Sequence, residues 1–265
     1  MNGHVAVTTG ARPVTDIRGT DISELLNPGA ARRQPLAGFD EDYVDIVDYI
    51  VRCTHKIWEE KQIGLIYSHY LHNSLVHTGS GETYGREAMV ENTVQTIAAW
   101  PDRLLYADDV VWSGNDQDGF YSSHRYTSVG APLGPTGAAT NQRSQRSGIA
   151  LCYVKANRII EEWVVSDDIA WVHGMGFDLE ETVAQMGEAA LADPRADEVH
   201  GEIERTVGQQ APEPYPVPPP AAFDVDWFVR RTLHEVWNRR MVGEMRGAYA
   251  PNYLCHTMGN RNLYG

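Results

Sequence analysis

Asp167 and His77 are the side chains of this chain best placed to move a proton. Asp167 lies four residues after Trp163 in a β-prone run, 158–167. The two-residue period of a strand therefore puts Trp163, Val165 and Asp167 on one face and Asp168 on the other. If that face lines an apolar, aromatic-walled cavity, desolvation raises the carboxyl pKa and makes it a proton shuttle near neutral pH. The bland alternative is a strand-end cap or an ion pair with arginine. His77 follows Leu75 and Val76, and it could bond a substrate oxygen or hold Asp167. A lone histidine in such a place is more often a satisfied wall residue. His124 and Tyr126 share one face of the strand 120–129 and Arg125 takes the other; the pattern does not decide which face is inner. Tyr153 and Trp163 are expected in a cavity wall. Tyr70 and Asn73 are candidate substrate contacts or buttresses of a short helix.

Other chemistries find less support. His69, His72 and His77 invite a metal reading, since a His pair on one helix face can share an ion. No cysteine or acidic partner stands at supporting spacing, so no metal is expected. The chain has no phosphate-cradling G-x-x-x-x-G-K, no dinucleotide G-x-G-x-x-G and no G-x-S-x-G elbow, so no cofactor and no serine nucleophile is expected. Lys and Arg number 22 against 36 Asp and Glu, a net charge of −14. That sign is wrong for gripping phosphate backbones, and a nucleic-acid partner is not expected. Cys53, Cys152 and Cys255 form no C-x-x-C pair and are odd in number. They read as buried thiols in a reducing cytoplasm rather than a disulfide framework. Neither a membrane-length apolar run nor a signal-peptide core is found in the sequence, so no membrane partner is expected.

The elements that must position these residues come in a clear order. Residues 1–38 hold scattered Pro and Gly and read as a flexible or draped arm. Tyr43, Ile46, Ile50, Thr54 and Ile57 recur at helical spacing, which predicts an amphipathic helix. A short helix near 62–71 and a third from Gly85 to the stop at Pro101 follow. Beyond Pro101 lie β-prone runs at 103–112, 120–129, 147–155 and 158–167, the last two joined by Ala156-Asn157 at hairpin spacing. Helices first and strands after them predict an α+β fold.

A weak repeat organises the rest. Trp58, Gly64, Tyr70, Asn73, Leu75, His77 and Thr78 recur as Trp237, Gly243, Tyr249, Asn252, Leu254, His256 and Thr257, each offset by 179. So long a period points to two related domains rather than a solenoid. Residues 39–177 then form one complete domain, 178–222 a helix and proline-rich linker, and 223–265 the start of a second copy. That copy lacks a counterpart of Asp167, and the chain reads as a piece of a longer protein.

Four segments carry a family resemblance: the run from Trp58 to His77; Tyr84-Gly-Arg-Glu-Ala88; Trp100-Pro-Asp-Arg-Leu-Leu-Tyr-Ala-Asp-Asp-Val110; and Gly134-Pro-Thr-Gly137 with the 158–167 strand and Gly174-Met-Gly176. In this order they resemble the SnoaL-like polyketide cyclase branch of the NTF2-like fold. That resemblance implies three helices packed on a strongly curved mixed or antiparallel sheet, enclosing a conical pocket. It assigns Asp167 the role of general acid/base and turns His77 inward. It further implies cofactor-independent acid/base catalysis on a small to mid-sized apolar carbonyl compound, with aldol cyclisation, isomerisation or dehydration as the outcome. A homodimer through the outer sheet face suits the fold. The alternative from another class is a non-catalytic NTF2-like module for ligand binding or dimerisation. An epoxide-hydrolase-like site is weaker, since no carboxylate–Arg–carboxylate triad can be placed.

Overall fold

The computed structural model describes residues 14–17, 19–132, 142–192 and 212–265. The chain divides into two compact units, one of residues 1–179 with 258–260 and one of 180–257 with 261–265. In the first unit the segment expected to be a bare arm carries regular structure. β1 (Val14–Asp16) pairs with a later strand, and α1 (Ile22–Leu26) is capped by the Asp21 carboxylate. Leu36 and Phe39 follow and are buried in the main core. Single apolar residues this far apart leave no periodic trace, so pattern reading passes over them.

α2 (Ile46–Trp58) begins where Asp45 accepts a hydrogen bond from Asp48 N at 2.8 Å, satisfying one of the helix's orphan donors. Its expected stripe is real: Ile46, Tyr49, Ile50, Cys53 and Ile57 are buried. Each such side chain removed from water contributes roughly 1.5–3 kcal/mol before the cost of ordering it. A 3-10 turn (Ile63–Leu65), α3 (Ile66–His69), β2 (Tyr70–Thr78), β3 (Gly81–Tyr84) and α4 (Arg86–Ala99) follow, and α4 ends just before Pro101. The long strands are β4 (Leu104–Asn115), β5 (Gly119–Gly130), β6 (Ser144–Lys155) and β7 (Arg158–Ser166), after which α5 (Asp168–Gly174) turns back. The Gly134-Pro-Thr-Gly137 segment lies outside the described residues.

The sheet order is β1-β4-β5-β6-β7-β2-β3, antiparallel except where β2 runs parallel to β7. This is the α+β arrangement with a mixed sheet that the sequence predicts, and α2 packs across β4 and β5. Ala156 and Asn157 at the β6–β7 hairpin both have positive φ, 47° and 66°, the conformation a two-residue hairpin needs. Alanine adopts it at a cost. Contacts from the α2 region hold it: Asp40 N donates to Asn157 Oδ1 at 3.2 Å, and Tyr49 OH donates to Asn157 O at 3.1 Å.

One irregularity decides the site. Tyr153 stands opposite Glu161 whereas Val154 stands opposite Ile159, so Ile160 is an extra residue in β7. On the other side β2 slips between Tyr70 and Leu75, where the buried Ser74 hydroxyl lies 2.9 Å from Ile159 O. A bulge reverses which alternate residues point inward from there on. Ile159 faces in before it, and Glu162 and Val164 face in after it.

The second unit holds all of α6 (Leu179–Ala192) but its first residue, then α7 (Val225–Thr232), a π-helical turn (Leu233–Asn238) and a 3-10 turn (Val242–Glu244). α8 (Met245–Ala248), β8 (Leu254–Thr257) and β9 (Arg261–Tyr264) complete it. Its local structure repeats the first unit in register. Asp224 caps its helix as Asp45 does, and Arg240 has a φ of 61° where Lys61 has 60°. His256 bonds Asn262 across a hairpin as His77 bonds Glu82.

Candidate active site

Between α2 and the inner faces of β4 to β7 lies a cavity of about 100 Å³. At roughly 10–15 Å³ per enclosed water, that is room for several waters or a small organic group. Ile50, Ile57, Leu105, Ile159 and Val164 form its apolar wall, and Tyr70, Arg103, His124, Tyr126 and Glu162 bring the chemistry.

Glu162 is the acid of this cavity. Burial pushes its carboxyl up from the ordinary glutamate value, opposed by hydrogen bonds from Tyr70 and Cys152. Tyr70 OH donates to Glu162 Oε2 at 2.9 Å, fixing the carboxylate's orientation while leaving it further lone pairs. The Tyr70 phenol is itself driven far up, by burial first and by the adjacent Glu162, so it stays a neutral donor. Cys152 is likewise kept protonated by burial and by Glu162.

β5 supplies the opposite wall. His124 is buried and burial alone lowers its pKa to about 4, so it is neutral at physiological pH. Its Nε2 is enclosed and has no hydrogen-bond partner among the described residues. Tyr126 lies beside it, ring centroids 6.0 Å apart, and its phenol is raised by burial, lowered by Arg103 and raised by Glu162. Gly148 makes room for this ring, because a Cβ there would collide with the Tyr126 phenol. Arg103 closes the site: its Nε donates to Ser128 Oγ at 3.1 Å and its guanidinium lies 4.5 Å from the Trp58 ring centre.

Of the residues expected from sequence, Tyr70, His124 and Tyr126 meet here; the His124 and Tyr126 face of β5 is the inner one. Five others lie elsewhere. Asp167 is the N-cap of α5 and accepts from Ala170 N at 3.0 Å. Trp163 and Val165 share a face of β7, but after the bulge it is the outer one, and β7 ends at Ser166, before Asp167. His77 also points outward. It stacks on Trp163 at 5.4 Å and bridges Glu82 (2.8 Å) and Glu161 (2.9 Å). Its pKa is raised, chiefly by the Glu161 hydrogen bond. Tyr153 stacks on Tyr121 and donates to Asp118 O, and Asn73 is exposed on β2. None of the five lines the cavity. His69 is buried against Tyr43 OH at 2.8 Å while His72 is exposed. Among the described residues no three His, Cys, Asp or Glu side chains gather as a metal site.

Glu162 and Arg103 are what sequence reading missed. A glutamate flanked by Ile159 and Val164 in a β-prone run was the available signal, but strict alternation from Ile159 turned it outward. Cys53 and Cys152 are buried as expected, with burial raising Cys53 to about 12, whereas Cys255 is partly exposed.

No protein-family model and no curated protein matches the chain. Solved structures resemble about half of it. IdmH from Streptomyces antibioticus, a candidate polyketide cyclase, is 17% identical with a TM-score of 0.41 over 49% of this chain and 97% of its own. A candidate SnoaL-like polyketide cyclase from Jannaschia sp. CCS1 is 14% identical with a TM-score of 0.43 over 49% and 90%. A protein of ketosteroid isomerase-like fold from Catenulispora acidiphila, bound to trimethylamine, is 11% identical with a TM-score of 0.41 over 49% and 93%. No helix among the described residues is long and apolar enough to cross a membrane.

Proposed function

We propose that the first unit is a SnoaL-like enzyme that performs cofactor-independent acid/base chemistry on a small carbonyl compound, with Glu162 as the base. The observation that supports this most is the Glu162–Tyr70 pair: a carboxylate oriented by the Tyr70 hydroxyl in an apolar-walled cavity, its pKa raised above the ordinary glutamate value by burial. Such a group is poised to take a proton from carbon next to a carbonyl. The developing enolate oxygen meets Tyr126 OH or the neutral His124, donors that need no reorganisation as charge develops. Glu162 then returns the proton to another carbon, which is isomerisation. In the cyclisation variant the enolate carbon attacks a second carbonyl, and Glu162 protonates the new alkoxide. Every proton and electron pair is accounted for within substrate and glutamate.

The test is α-proton exchange of small ketones such as cyclohexanone in D2O, followed by NMR. Exchange should depend on enzyme, rise with pH through a value above the ordinary glutamate pKa, and fall away in Glu162→Gln. Exchange that is unaltered by Glu162→Gln would remove Glu162 from the role. Pairing of two copies through the outer sheet face belongs to the same proposal, supported by the exposure of Val111 (47%), Ile149 (45%) and Val165 (72%) there. Light scattering of the purified chain checks it.

A further inference from the structure

Arg103 is a buried cation that the mechanism above does not use. It is 8% exposed, and burial, with repulsion from Arg146, lowers its pKa to about 10. It is therefore still charged at neutral pH. Its only hydrogen bond among the described residues runs from Nε to Ser128 Oγ. Both Nη atoms are without hydrogen-bond partners there, although the residue lines the cavity. The Trp58 ring lies 4.5 Å from the guanidinium carbon and takes none of its N–H donors. Arg146, the cation that helps depress it, is already paired with Asp168, so it adds positive charge without relieving Arg103.

Glu162 is not the missing partner. Neither residue figures among the influences on the other's ionisation, while Tyr126 responds to both. Arg103, Tyr126 and Glu162 line the same cavity, and no ion pair or hydrogen bond joins Arg103 to Glu162 among the described residues. A desolvated guanidinium without a counter-ion is costly, and an arriving anion would offset that cost. A planar fork with its Nη pair free matches the two oxygens of a carboxylate, which a single enolate oxygen does not.

We propose that Arg103 receives a carboxylate on the substrate, so that the cavity takes an oxo acid whose reacting carbon reaches Glu162. This rests on the reading of Glu162 as base and adds the class of substrate. The experiment compares 4-oxopentanoate with its uncharged methyl ester by isothermal titration calorimetry on the full chain at pH 7.5. The acid should bind at least tenfold more tightly than the ester. Arg103→Gln should erase that preference, whereas Glu162→Gln should keep it. Wild type that binds both alike, or neither, overturns the proposal, as does a preference that survives Arg103→Gln. Should Arg103→Gln fail to fold, Arg103→Lys keeps the charge and loses the fork. It should bind the acid at least threefold more weakly with the ester unchanged, and undiminished acid affinity overturns the proposal. Exchange of cyclohexanone, which carries no carboxylate, tests Glu162 separately: loss of that activity in Glu162→Gln stands even if Arg103 proves irrelevant.

Discussion

Glu161 and Glu162 are the same residue type, one peptide apart, and the fold gives them opposite chemistry. Glu161 stands on the outer face, bonded to His77 beside the stacked Trp163. Glu162 stands on the inner face, bonded to Tyr70 and raised by burial. On the outer face water screens the charge and an imidazole shares it. On the inner face there is little solvent to stabilise the anion, so its proton affinity rises. Proton affinity here is set by the face rather than by the side chain.

The contrast breaks most visibly in rate. Glu162→Gln should slow α-proton exchange by about 10²–10⁴-fold, the usual worth of a positioned acid/base, while Glu161→Gln should change it by no more than about twofold. Equal losses would dissolve the distinction between the faces. The inner wall also predicts a pH effect on stability. His124 has a folded pKa of about 4 against an ordinary value of 6.5, so the unfolded chain takes up a proton first as pH falls. Its contribution is complete above pH 6.5 and is lost between there and pH 4, about 3 kcal/mol at 1.36 kcal/mol per unit. Urea titrations at pH 7 and 4.5 should show this loss in wild type and a smaller one in His124→Gln. The outer face should give the smallest effect and the reverse sign. His77 has a raised pKa, so its contribution is present below its unfolded value and lost as pH rises through the folded one. His77→Ala should cost a little stability at pH 5, nothing at pH 9, and leave exchange unchanged.

Helices α2 and α7, whose sequences match at an offset of 179, make a second contrast. Ile46 and Ile50 of α2 are 0% and 3% exposed, whereas Val225 and Val229, at the same register in α7, are 65% and 45% exposed. Both helices carry an apolar stripe and an aspartate cap. Only α2 has long strands to cover its stripe among the described residues of its own unit. Amphipathicity states what a helix is suited to bury, and burial itself requires the partner.

Much of the architecture was legible from local signals. The Asp45 cap, the stripe of α2, the stop at Pro101 and the hairpin at 156–157 are set by neighbours within a few residues. The site is legible only in part: sequence points to Tyr70, His124 and Tyr126, whereas His77 and Trp163 stand on the outer face and Asp167 caps α5.

Within an unbroken stretch of strand, as for His124 and Tyr126 of β5, the sequence by itself determines which residues share a face, because alternation is a local property of the backbone. Which face became the interior was settled only in three dimensions. The extra residue Ile160 inverts the alternation of β7, and its place depends on pairing with β6 and on Ser74 of β2. Those partners are distant in the chain and act only when the strands meet. The same assembly encloses Glu162 and Arg103 away from bulk water, and desolvation is a property of surroundings that no single segment carries.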